Sequence, residues 1–228
     1  FRTTPVKVVL KDSAGQPLSG GAVTYAGSSW AAFGTTDANG ETVMELLAAN
    51  YTFRMTYAGM SRDKAQNTKT DNVITFQTQN VLISLKDSSD NGIPGGVITY
   101  AGSSWLSFGT TDTNGEARKE LLPGTYRFRM AYDGASLDKS QEVGIDSHVT
   151  FATLSVLVTL KDSLGNPVSG GRVTYAGSSW LSFGITDTKG EARRELLPVS
   201  YTFRMVSGGL TINKSQSVGT SAVVAFEL

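Results

Sequence analysis

Tyr25-Ala26-Gly27-Ser28-Ser29-Trp30 decides how this chain is read, because the same six residues return from Tyr100 to Trp105 and from Tyr175 to Trp180. Each return is offset by 75 residues, Trp30 to Trp105 to Trp180, so the 228 residues are three copies of one unit laid end to end. Counted from Phe1, the copies run 1–75, 76–150 and 151–225. Phe1, Phe76, Phe151 and Phe226 are then one position met four times. As folded units the expectation is 1–77, 78–152 and 153–228. Because the chain starts and stops in phase with the repeat, we expect it to be an excerpt of a longer protein with flanking domains.

Outward from that hexapeptide, each unit reads as strands. Val6, Val8 and Leu10 alternate with Lys7, Val9 and Lys11, and the copies keep the alternation at Val81, Ile83, Leu85 and at Val156, Val158, Leu160. Such a period of two marks a strand with one buried face. Val23 and Tyr25 then face one way and Ala22 and Thr24 the other, with Arg172 at the position of Ala22 showing which side is wet. A third strand from Trp30 stops at Asp37-Ala38-Asn39-Gly40, a hairpin signal. A fourth, from Glu41 to Leu47, carries charges on both faces in the later copies (Arg118, Lys119, Arg193, Arg194), which suits a sheet edge. Tyr51, Phe53 and Met55 alternate in the fifth; a sixth covers about 62–68, and the seventh buries Ile74 and Phe76. No segment has helical period. The fold class is therefore all-β: three tandem seven-stranded antiparallel β-sandwiches. An odd number of alternating strands carries the chain in at one end of a unit and out at the other, and short joints then give an elongated rod.

Composition narrows function. Lys plus Arg equals Asp plus Glu at 20 each, which leaves no net field to gather nucleic acid or an anionic membrane. There is no cysteine, so disulfides, thiolate zinc and a cysteine nucleophile are excluded. No apolar run approaches a membrane span, and no signal peptide is visible. We expect no nucleic-acid partner, no membrane insertion and a monomer.

The order of features resembles the prealbumin-like modules: the B-type repeats of bacterial collagen adhesins, carboxypeptidase regulatory-like domains and transthyretin. The likeness is carried by Lys11-Asp12 with Gly15, by Gly-x-Val-x-Tyr, by Thr35-Thr36-Asp37-Ala38-Asn39-Gly40, and by Leu122-Pro123-Gly124-Thr125-Tyr126 leading into an alternating strand. It implies two packed sheets and, for tandem bacterial members, an extracellular stalk, secreted or displayed on the cell surface. Some such repeats join a first-strand Lys to a last-strand Asn. Lys11, Lys86 and Lys161 stand where the donor would be, but position 72 reads Asn72, Ser147 and Ala222, and the fifth strand has no acid. Those lysines read as solvated strand ends.

Catalysis finds no constellation. His148 stands where the other copies have Val73 and Val223, and without a histidine, cysteine or acid cluster nothing activates a nucleophile. Asp37, Asn39 and Glu41 are too few oxygens for calcium and read as a turn. No cofactor, no metal and no enzyme activity are expected. Trp30, Trp105 and Trp180 are the remaining candidates. Strand parity points them away from the core, beside small residues. The family topology implies Thr24, Thr99, Thr174 and Arg54, Arg129, Arg204 on the same outer face. Two roles stay open, an indole capping the sandwich edge and a carbohydrate platform for a polysaccharide or cell-wall glycan, the latter gaining avidity from threefold repetition. The expected function is a non-catalytic spacer or stalk, with the tandem carbohydrate-binding array as its alternative.

Overall fold

The computed structural model describes residues 2–228 apart from 102, 103 and 178. Phe1, the first of the four equivalent phenylalanines, lies outside the described residues. In the first module β1 spans Thr3–Lys11, β2 Ala22–Ala26, β3 Trp30–Thr35, β4 Glu41–Leu47, β5 Asn50–Tyr57, β6 Met60–Asn67 and β7 Val73–Gln77. The second repeats this as β8 Gln79–Lys86, β9 Val97–Ala101, β10 Trp105–Thr110, β11 Glu116–Leu121, β12 Thr125–Tyr132, β13 Ala135–Glu142 and β14 His148–Ala152. The third has β15 Leu154–Lys161, β16 Arg172–Ala176, β17 Trp180–Ile185, β18 Glu191–Leu196, β19 Ser200–Ser207, β20 Leu210–Ser217 and β21 Val223–Glu227. The all-β reading with seven strands per unit is what the structure shows.

Each module lays a three-stranded sheet on a four-stranded one. The orders are β4-β1-β7 with β3-β2-β5-β6 in the first, β11-β8-β14 with β10-β9-β12-β13 in the second, and β18-β15-β21 with β17-β16-β19-β20 in the third. The charged fourth strand is an edge strand, as its sequence foretells. Side chains at period two fill the space between the sheets: Val6, Val8, Leu10, Ile74 and Phe76 from one, Val23, Phe53 and Met55 from the other, with Phe33 edge-on to Phe53 at 5.7 Å between ring centres. One pairing per module is parallel, β1 with β7, β8 with β14 and β15 with β21. First and last strands run the same way because their number is odd.

One local expectation fails. Unbroken alternation in the third strand would bury position 35 and expose position 36; instead Ile185 is exposed, while Thr36, Thr111 and Thr186 are buried. Val23 pairs with Gly34 and Thr24 with Ala32, leaving Phe33 as an extra residue, and the bulge inverts the parity beyond it. Thr36 is thereby turned inward, where its Oγ1 accepts from Gly21 N (2.9 Å) and donates to the Leu18 carbonyl (2.9 Å).

Between modules there is almost no linker. Only Thr78 separates β7 from β8, and its N–H donates to the Lys11 carbonyl at 3.0 Å; Thr153 repeats this with Lys86 at 2.9 Å. The accessible surface is 11577 Å². A compact globule of this mass would expose roughly 10,000 Å². The excess is what a chain divided into separate modules exposes.

Candidate functional site

The outer face of each four-stranded sheet holds the predicted tryptophans. Trp30, Trp105 and Trp180 are 45, 41 and 44 % exposed, and none belongs to a core cluster, so they do not cap the sandwich. Thr24 lies opposite Arg54 in the β2–β5 pairing, as Thr99 does Arg129 and Thr174 Arg204. The structure thus brings the nine predicted residues together on three outer faces. It also occupies one side of each indole. The guanidinium of Arg54 lies 4.2 Å from the Trp30 ring centre, Arg129 4.3 Å from Trp105, and Arg204 4.0 Å from Trp180. Arg54 and Arg129 are tied two-pronged to Asp63 and Asp138 on the neighbouring strand, which holds both carboxyls below their ordinary range. Arg204 faces Asn213 instead.

A second set of residues, which the sequence reading passed over, lies where one module meets the next. Each joint is built from the same positions. At the first, the Glu120 carboxylate accepts from the Ser13 hydroxyl (2.6 Å), the Ser13 N–H (3.1 Å), the Asn80 amide (3.1 Å) and the Thr78 hydroxyl. At the second, Glu195 accepts from the Ser88 hydroxyl and N–H and from Thr153. One carboxylate thereby ties the incoming module, the outgoing turn and the strand between them. Tyr100 donates to the Ala58 carbonyl at 3.0 Å, and Tyr175 to that of Asp133 at 3.2 Å.

Apolar contacts close the same joints. Leu122 of the second module belongs to the core cluster of the first, and Leu197 of the third to that of the second, both fully buried. The second and third modules therefore each lend a leucine to the core before them. Leu106 lies against the hairpin tip at Gly59, where an added Cβ would come within 2.3 Å of its Cδ1; Leu181 meets Gly134 in the same way, at 2.7 Å. Only a residue without a side chain lets the leucine so near, and the positive φ of 75° and 78° suits glycine there too.

The joints differ in charge. At the second, Arg194 grips Asp133 with Nε–Oδ2 at 2.7 Å and Nη2–Oδ1 at 3.0 Å, an interaction that raises the Arg194 pKa further. Ala58 and Lys119 occupy those positions at the first. Burial acts to raise the Glu120 carboxyl, but the hydrogen bonds from Ser13, Thr78 and Asn80 outweigh it and leave the pKa below its ordinary value. Burial pushes the Tyr175 phenol well up, so it stays a donor.

A signal for these residues was present in the Leu-Leu doublet. Neighbours on a strand face opposite ways, so Leu121 and Leu122 need two cores. Asp133 and Arg194 gave no such signal, since each occurs in one copy only.

No family model matches the chain, and no curated protein does. Among solved structures it is similar to the Bacillus anthracis TIE protein, at 16% identity and TM-score 0.29, covering 100% of this chain and 51% of that one. A Streptococcal ancillary pilin matches at 13% identity and TM-score 0.30 over 98% of both chains. BcpA, the major pilin subunit of Bacillus cereus, matches at 10% identity and TM-score 0.27, covering 100% of this chain and 99% of the other. The chain thus spans about half the length of the Bacillus anthracis protein and nearly all of the two pilins. At such identities and overlaps these likenesses carry no argument about this chain; its own geometry does.

Proposed function

We propose that this chain is a non-catalytic spacer in an extracellular bacterial protein, three modules (1–77, 78–152 and 153–228) holding an attached domain away from a surface. The observation that carries it is the repeated joint: Glu120 and Glu195 each accept from a serine hydroxyl and N–H of the module before and from the linker threonine, and Leu122 and Leu197 make the same insertion, so the two junctions share one set of contacts. A spacer made of identical stiff steps has a length set by the number of modules. Solution scattering tests this. A straight three-module rod of about 100 Å has a radius of gyration of about 30 Å, against about 17 Å for a compact chain of this length. A compact value, or a broad distribution of lengths, removes the reading.

The carbohydrate array is a second reading, favoured by the exposure of all three indoles and opposed by the guanidinium on each. Affinity electrophoresis on a polysaccharide panel, with the triple Trp→Ala variant as control, decides it: retardation lost in the variant would establish the platform.

A further inference from the structure

We propose that the outer face of the third module's four-stranded sheet is an anion site, which takes the carboxylate of an acidic saccharide on Arg204 and Arg172 beside the Trp180 indole. The inference rests on the carbohydrate reading and names a ligand class for one of its three platforms.

The three outer faces share one plan and depart from it in charge. On the first, Arg54 gives Nε and Nη2 to the two carboxylate oxygens of Asp63, at 2.7 and 2.8 Å; on the second, Arg129 does the same with Asp138, at 2.7 and 2.9 Å. Each of these guanidinium groups is neutralised by its strand neighbour. In the third module Asn213 stands opposite Arg204 instead. It accepts from Nε at 3.0 Å, and among the described residues nothing engages the Nη2 of Arg204 or the Nδ2 of Asn213. Two donors therefore stand side by side where the other faces have a closed pair. Stacking on Trp180, at 4.0 Å, holds the guanidinium in place, so an anion meets it pre-oriented.

A second departure in the same copy points the same way. Arg172 takes the place of Ala22 and Val97. The pairing sets Thr174 opposite Arg204 and Arg172 opposite Val206, which makes the two arginines diagonal neighbours on one face. Such positions lie about 7–8 Å apart, near enough for two long side chains to share one anion. Arg172 is exposed and enters no ion pair among the described residues. Its openness belongs to the position, since Val97 is 50 % exposed although a module follows it. The strands β16, β17, β19 and β20 contain no Asp or Glu, so nothing within the sheet neutralises either cation.

The chemistry of the face selects the occupant. A carboxylate accepts two parallel N–H bonds from a guanidinium. The indole, 44 % exposed with Ala176 opposite it and Ser182 two residues along its strand, offers the flat apolar surface that a sugar ring covers. A uronic acid carries both features in one rigid unit. With the chain's net charge at zero, general capture of polyanions is not expected.

Affinity electrophoresis of the full chain, relative to a polymer-free gel, tests the proposal with polygalacturonate, its methyl ester and poly-glutamate. Polygalacturonate is expected to retard the chain, and the other two to act at least about tenfold more weakly. Asn213→Asp rebuilds the closed pair of the other modules, and Arg172→Ala restores the residue of the first; each is expected to weaken the retardation about tenfold, and each introduces a residue that a sister copy holds at the same position. Asp63→Asn together with Ala22→Arg is expected to open a second site and strengthen it. No retardation in polygalacturonate, indifference to both third-module variants, or equal retardation by the methyl ester or by poly-glutamate would overturn the inference. Retardation by neutral polysaccharides that is lost in the triple Trp→Ala variant reports the carbohydrate reading separately. If it is present while polygalacturonate has no effect, only this inference fails; if both are absent, both fail.

Discussion

Leu47, Leu122 and Leu197 are one position in two environments: Leu122 and Leu197 are buried in the core of the module before, and Leu47 is exposed. Leu122→Ala or Leu197→Ala empties part of a neighbouring core and is expected to cost about 2–5 kcal/mol in urea unfolding. Leu47→Ala, exposed, is expected to stay within about 0.5 kcal/mol. Equal losses at all three would mean that the leucine matters to its own module only. At Glu120 the lowered pKa fixes a sign. Its contribution is fully present above the ordinary carboxylate pKa and is lost as pH falls through the lowered value. Glu120→Gln is therefore expected to flatten the acid limb of stability against pH, by about 1 kcal/mol for a partly exposed, hydrogen-bonded carboxylate. An unchanged acid limb would place the titration elsewhere.

Among elements, the hairpin joining the fifth and sixth strands of each module does two jobs. It turns the chain with a positive-φ glycine at Gly59, Gly134 and Gly209, and at the first two it also seats the next module's leucine. Alanine at any of the three carries the same backbone penalty, about 1 kcal/mol. Only at 59 and 134 does the new methyl strike Leu106 or Leu181, so Gly59→Ala and Gly134→Ala are expected to lower the melting temperature more than Gly209→Ala. Three equal shifts would show that the contact contributes nothing. The third strand teaches the limit of pattern reading. Its alternation was legible, but a single extra residue at Phe33 in the pairing with β2 inverted the faces beyond it.

At the scale of the whole molecule, modules that share core residues unfold together. Each 75-residue unit buries a modest share of its surface, and nearest-neighbour joints supply the rest. Calorimetry is expected to show one transition for the chain, and Leu197→Asp, which places a charge in the second module's core, to split off a separate step. Three independent transitions in the unaltered chain would contradict coupling.

The sequence by itself determined the repeat, the seven strands, the core faces except beyond the bulge in the third strand, and the outward placement of the tryptophans, because all of these follow from a period of two or of 75 along one chain. Tertiary structure alone decided which core receives Leu122 and Leu197 and what Glu120 and the Asp133–Arg194 pair do. Their partners lie 42, 61 or 107 residues away, across a boundary between folded bodies, and no local periodicity encodes a contact that exists only once two finished modules meet.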